Sequence, residues 1–189
     1  EIHERLVGSE MCIRDRLSVG TLRMQKRLRV ILQAMARLRN REQLHYVICG
    51  EGPDMPFLQK LTRQLHLEER VHLLGYRTDI PDMLGAADIF CMPSRREGCG
   101  MAALEAMAAG LPLITVRSHG TKTYAEKGES GFCLKGDLVT SCADAIEQLA
   151  DNKLLRRQMG ARNRAAATAF SDADRMMLLR GYYQKALGD

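Results

Sequence analysis

Tryptophan is absent and only 5% of the residues are aromatic. With five Tyr, four Phe and no recognisable binding motif, sequence-specific recognition of DNA or RNA has little support. None of the six Cys belongs to a Cys-x-x-Cys pair or a Cys/His ligand spacing, which argues against a zinc site or a disulfide framework. Cys49, Cys91 and Cys133 instead sit in apolar runs and read as buried thiols of a reducing compartment, placing the chain in the cytoplasm. No apolar run approaches the roughly 18 residues that a membrane span requires, which points to a soluble chain. There is no internal repeat, low-complexity tract or interdomain linker. A G-x-G-x-x-G fingerprint is missing from the loop Gly20 to Lys26, which disfavours a redox dinucleotide protein.

What remains is 189 residues, 46% of them hydrophobic and 27% charged, enough for one globular domain with a real core. The net charge of +5 favours anionic partners. Charge alone does not choose between phosphate-bearing small molecules, nucleic acid and a membrane surface.

Residues 1–16 stand apart. Val7-Gly8-Ser9-Glu10-Met11-Cys12-Ile13-Arg14-Asp15-Arg16 resembles the in-frame translation of a transposase sequencing adapter, so we expect native sequence to begin at Leu17. The competing reading is a native amphipathic arm, but the polar residues lack helical periodicity.

From Leu17 onward, short strands alternate with helices. Strands are expected at Leu17 to Val19, Leu44 to Cys49, Val71 to Leu74, Ile89 to Met92, Leu113 to Val116 and Gly131 to Leu134. An amphipathic helix follows from Arg27 to Asn40, another around Phe57 to Leu65, a short one around Ile80 to Ala86, and one from Gly100 to Ala109 closed by Gly110. Further helices are expected at Ala143 to Ala150, Leu154 to Phe170 and Ala173 to Ala186, the last capped by Ser171. This alternation predicts an α/β fold, a Rossmann-like doubly wound parallel sheet with right-handed crossovers. Ligands of such sheets lie at the carboxyl ends of the strands.

The stretch Pro93 to Gly110 carries the most chemistry. A buried strand ends in a glycine-containing loop that opens a helix, an arrangement whose free amides and dipole favour an anion. Gly98 and Gly100 allow close backbone approach. Glu97 and Glu105 would repel a phosphate they faced, so each is better suited to accepting hydrogen bonds from hydroxyls. A diphosphate flanked by hydroxyl-bearing rings, as in a nucleotide-sugar, meets these demands together.

These residues resemble the retaining glycosyltransferases of family 4. The resemblance rests on Glu97 and Glu105 as a Glu-x7-Glu motif, framed by Pro93-Ser94, Glu97-Gly98, Leu104-Glu105-Ala106-Met107 and Gly110-Leu111-Pro112. Val19-Gly20 with Lys26, Ile48-Cys49-Gly50-Glu51-Gly52-Pro53, Val71 to Gly75, Ala87-Asp88-Ile89 and Gly128 to Gly131 follow the same order. It covers essentially all of residues 17–189.

The resemblance implies the C-terminal, donor-binding half of a GT-B fold, with an acceptor-binding domain missing on the N-terminal side. It implies a UDP- or GDP-sugar donor as substrate, no metal or other cofactor, and retention of anomeric configuration. The acceptor would be a glycan or a polyprenyl-linked sugar, and the fragment alone would be inactive. Glu97 would contact the donor sugar near the reacting carbon, and Glu105 the ribose. Amides around Gly98, Cys99, Gly100 and Met101 would hold the diphosphate, neutralised by Lys26. Gly20 and Gly50 would belong to the donor-binding site, and backbone at Tyr76 and Arg77 would flank the base. The segment Gly75 to Pro81 and Arg96-Glu97-Gly98 lean toward exopolysaccharide or capsule members. Thr21 replaces an Arg common in the family, Arg27 replaces a small residue, and His119 stands where a second glycine is usual.

Plainer readings stand beside these. Arg95, Arg96, Arg156, Arg157, Arg162 and Arg164 read first as a solvated basic face, and otherwise as an attraction to an anionic membrane. Cys99 lies beside the expected phosphate nest but has no base in view. Two further classes compete: a nucleotide-sugar epimerase, for which acid/base residues are not evident, and a binding module without catalysis.

Overall fold

The computed structural model describes residues 14–118, 121, 124 and 130–170. Six strands form one parallel sheet: β1 (Arg14–Val19), β2 (Leu44–Cys49), β3 (Val71–Gly75), β4 (Ile89–Met92), β5 (Leu113–Val116) and β6 (Gly131–Leu134). Their order is β3-β2-β1-β4-β5-β6. The chain therefore winds outward in one direction from β1 to β3, then returns to start again at β4. The crevice between β1 and β4 is the switch point at which such sheets bind ligands.

The helices are α1 (Leu28–Arg37), α2 (Met55–Gln64), α3 (Ile80–Ala86), α4 (Met101–Ala108), α5 (Leu138–Asp151) and α6 (Lys153–Ala167). Alternate strand residues feed two separate cores. Leu44, Tyr46 and Ile48 pack with α1, α2 and α5, whereas Val47, Cys49, Phe90 and Met92 pack with α3 and α4. This period of two explains why the interior strands read as continuous apolar runs: both faces are covered.

Helix ends follow their local chemistry. Asp137 caps α5 by accepting from the Val139 amide at 3.1 Å, and Asn152 caps α6 by accepting from Leu155 at 2.8 Å. Gly110 takes φ +83° just past α4, the left-handed turn expected of it. The end of α6 is then anchored across the sheet: buried Asn163 donates its amide to the carbonyls of Leu111 at 2.6 Å and Ser130 at 2.8 Å.

Four expectations change. β1 begins at Arg14, because a central strand between β2 and β4 pairs its backbone whatever side chains it carries. The helix expected from Ala143 begins at Leu138, where the Asp137 cap starts it. Two arginines assigned to a solvated face are tied into the structure. Arg156 donates to the carbonyls of Leu149 and Ala150 at the end of α5 and lies 3.4 Å from Asp88, and Arg164 donates to Ala109 O at 2.9 Å. Cys133 is half-buried rather than buried. The helix expected at Ala173 to Ala186, its Ser171 cap and His119 lie outside the described residues.

Candidate functional site

The loops at the carboxyl ends of β1, β2, β3 and β4 enclose a cleft in two parts that meet at Val19, Gly20 and Thr21. The larger part, about 1060 Å³, lies over β1, β2 and α3 and includes Gly50, Tyr76, Arg77 and Glu105. The smaller part, about 440 Å³, is lined by Lys26, Glu97, Gly98, Cys99, Gly100 and Met101. All eleven residues singled out from the sequence thus border one continuous cleft.

The floor is backbone. The Gly20 amide donates to Cys49 O at 3.0 Å and the Gly50 amide to Gly75 O at 2.6 Å. Gly50 has φ +142°, and a Cβ there would run into the Gly20 carbonyl, so no other residue fits.

At the small end, Lys26 closes a 3-10 turn, Met24–Lys26, and its Nζ lies 2.7 Å from Glu97 Oε1. Both side chains are largely buried, at 19% and 11% exposure. The ammonium is thus held at the mouth of the Gly98–Met101 loop, with a carboxylate beside it. The Arg95 amide donates to Gln25 O at 2.7 Å and fastens the two loops together. Gly100 takes φ +70° as the N-cap of α4, leaving the first amides of that helix without a side-chain cap. Tyr124 reaches under this turn and donates from its hydroxyl to Cys99 O at 3.4 Å. Burial pushes the Tyr124 hydroxyl well above its ordinary range, so it stays a neutral donor.

At the large end, Tyr76 is exposed, while the Arg77 guanidinium is held by Asp79, with Nε 2.8 Å from Oδ1. That pairing offsets the Arg77 charge at the edge of the cavity. Glu105 projects from α4 into the same part and is exposed. Cys99 is exposed, and among the described residues no group of His, Cys, Asp and Glu is arranged to hold a metal ion.

Sequence reasoning missed one contact and one member. The Lys26–Glu97 contact joins residues 71 apart in the chain and leaves no local trace. Tyr124 stands in no periodic stretch of the sequence, and only its aromatic size hinted at burial.

The family model for "Glycosyl transferases group 1" matches residues 14–166, most of the chain. The chain belongs to the group 1 glycosyl transferases. Among curated members, N-acetyl-alpha-D-glucosaminyl L-malate synthase of Bacillus anthracis is 32% identical over 149 residues, covering 78% of this chain and 39% of that protein. D-inositol 3-phosphate glycosyltransferase of Corynebacterium jeikeium is 34% identical over 163 residues, covering 81% of this chain and 39% of that one. The group 1 chain thus spans about two-fifths of the length of these relatives. Among solved structures, Anabaena Alr3699/HepE in complex with UDP superposes with a TM-score of 0.84 at 21% identity, over 97% of this chain and 51% of that one. The pneumococcal O-GlcNAc transferase GtfA, in complex with UDP and GlcNAc, gives 0.84 at 21% identity, over 93% of this chain and 36% of that one. These likenesses fix the fold of the group 1 chain as the Rossmann-like α/β unit of GT-B glycosyltransferases.

Proposed function

We propose that this chain is the nucleotide-sugar-binding domain of a retaining glycosyltransferase whose acceptor-binding half lies outside the sequence. The observation that carries the reading is the two-part cleft at the switch point: a large cavity with Glu105, a backbone waist at Gly20, and a small cavity with Lys26, Glu97 and an uncapped helix start. A nucleoside lies in the large part, with its ribose hydroxyls on Glu105 and its base against the backbone at Tyr76 and Arg77. The diphosphate crosses the waist above Gly20 and Gly50. It meets the amides of Gly98, Cys99, Gly100 and Met101 and the Lys26 ammonium. The sugar then falls beside Glu97, which accepts from its hydroxyls near the carbon that changes partners.

Departure of the nucleoside diphosphate leaves negative charge on the terminal phosphate. Lys26 and the α4 amides are fixed where that charge develops, so they stabilise it without a metal. Release of the diphosphate and arrival of the acceptor hydroxyl on one face of the sugar retain its configuration. UDP-sugars are the first donors to try, because UDP occupies the related Anabaena and pneumococcal structures; GDP-sugars are the second. The acceptor is a glycan or a polyprenyl-linked sugar, of the exopolysaccharide or capsule type, and the reaction takes place in the cytoplasm or at the inner membrane face. Among the described residues no helix is long and apolar enough to cross a membrane.

Calorimetric titration with UDP-, GDP- and ADP-sugars tests the reading. One of them is expected to bind at micromolar to millimolar Kd, with Glu105→Ala weakening binding about tenfold, the loss of one charge-assisted hydrogen bond. Absence of binding to all three removes its chemical basis. Sugar transfer by this chain alone would show instead that the acceptor half is not needed.

The reading also takes residues 1–16 as a translated adapter. Its support is Arg16, a charged side chain wholly buried in a central strand with two guanidinium nitrogens lacking a partner. The source DNA decides: codons other than the adapter's across positions 7–16 rule it out.

A further inference from the structure

A separate hollow of about 620 Å³ adjoins the small part of the cleft, with which it shares Arg23 and Gln25. Its charge is one-sided: Arg23, Arg27, Arg29, Arg95 and Arg96 line it, against the single carboxylate of Asp54. Among the described residues none of these five arginines is in an ion pair. Five like charges around one hollow repel one another, and a guanidinium is the side chain best shaped for a phosphate. Apart from Gln25, the rest of the lining is apolar, with Met24 77% exposed, Phe57 49% exposed, and Leu28 and Leu58 beside them. A phosphate alone satisfies the arginines and leaves that surface wet. An apolar chain alone covers the surface and leaves the charges unanswered.

The hollow is also built from the donor loops themselves. Arg95 and Arg96 directly precede Glu97, and Arg23 and Arg27 flank the turn that carries Lys26. The Arg95 amide bond to Gln25 O, at 2.7 Å, joins these two segments. A molecule whose phosphate sits among the arginines is therefore held by the same two segments that carry Lys26 and Glu97.

Resting on the donor reading above, we propose that this hollow binds the phosphate-bearing end of the acceptor, a phosphate or diphosphate ester joined to an apolar chain. Arg29 and Arg96 grip the phosphate, and Phe57 and Met24 cover the first part of the chain. The acceptor's charge is then held by this domain, on the segments that carry Lys26 and Glu97. Acceptor recognition is not left wholly to the other half of the enzyme.

The test uses farnesyl diphosphate, inorganic pyrophosphate, farnesol and phosphatidylglycerol vesicles, titrated into the 189-residue chain already saturated with UDP. Farnesyl diphosphate is expected to bind without displacing UDP, pyrophosphate more weakly, and farnesol not measurably. The double variant Arg29→Gln/Arg96→Gln should weaken both phosphate probes about tenfold or more, and Phe57→Ala should weaken farnesyl diphosphate about fivefold while sparing pyrophosphate. UDP affinity should be unchanged in every variant, which also reports that each is folded. The proposal is overturned if farnesyl diphosphate competes with UDP, if the double variant binds it as well as the parent does, or if vesicles alone respond to the arginine changes. Failure of UDP itself to bind counts against the donor reading. The same titrations without UDP then still decide whether the arginine hollow takes the ester.

Discussion

Strands β1 and β4 lie side by side at the centre of the same sheet, and their composition could hardly differ more. β4 is Ile89-Phe90-Cys91-Met92, buried throughout, each side chain packed into one of the two cores. β1 opens with Arg14-Asp15-Arg16 before it turns apolar at Leu17. Leu17 faces the core under α4, so Arg16 and Ser18 face the larger core beside Tyr46. Ser18 adapts: its hydroxyl donates to Cys91 O at 2.5 Å and accepts from Tyr46 at 2.8 Å. Arg16 does not, for only its Nε finds a partner, His45 O at 2.7 Å. Burial pushes its guanidinium down to about 10, and burial pushes the Asp15 carboxyl up to about 6, against the attraction of Arg16. The pair of strands separates two requirements that usually coincide. Backbone pairing places a segment in the sheet, and side chains decide what that placement costs.

The most direct way to break the comparison is to make β1 resemble β4. Arg16→Leu should raise stability in urea unfolding by about 2–4 kcal/mol, since a buried charge without full partners gives way to a hydrophobe. A loss of stability would mean that the guanidinium is compensated after all.

Next comes pH. The folded chain raises the Asp15 pKa from 3.8 to about 6, so it binds the proton more tightly than the unfolded chain does. This contribution is fully present below pH 4 and is lost as pH rises through 6. It amounts to about 3 kcal/mol at most, from 1.36 kcal/mol per unit. Asp15→Asn should flatten that part of the stability profile, measured by denaturation at pH 4 to 7.5; an unchanged slope would show that Asp15 is solvated.

The loops after the two strands extend the contrast. The β4 loop meets its left-handed turn with Gly100, whereas the β1 loop meets one with Arg27 at φ +53°. Gly100→Ala should cost about 2 kcal/mol, because its Cβ would collide with the Tyr124 hydroxyl as well as occupy a positive φ. Arg27→Gly, the smallest effect, should gain about 0.5–1 kcal/mol by removing a side chain from that conformation. Thermal unfolding of the two variants checks both signs.

These contrasts also explain what was legible beforehand. β2, β4 and β5 are visible in the sequence because burial on both faces produces apolar runs next to Gly or Pro. α4 is visible because glycine marks both of its ends. The start of β1 is invisible, since nothing in Arg14-Asp15-Arg16 favours a strand and only its neighbours on either side put it there. The candidate site was legible where the chain is local, as at Gly98 to Glu105. It was not where distant segments meet: Lys26 with Glu97, Arg95 with Gln25, and Tyr124 beneath Gly100 depend on the sheet order, which no single segment encodes.

The backbone floor at Gly20 and Gly50 has a consequence for redesign. Because a methyl group at Gly50 would strike the Gly20 carbonyl, this bed cannot be recontoured by mutation without moving two strands. Variation must enter from the rim, at Thr78, Pro81 and Gly85 on one bank and Ala108 on the other. A library aimed at new ligands should leave the bed alone and randomise those banks, where a change of side chain alters the fit without disturbing the sheet beneath.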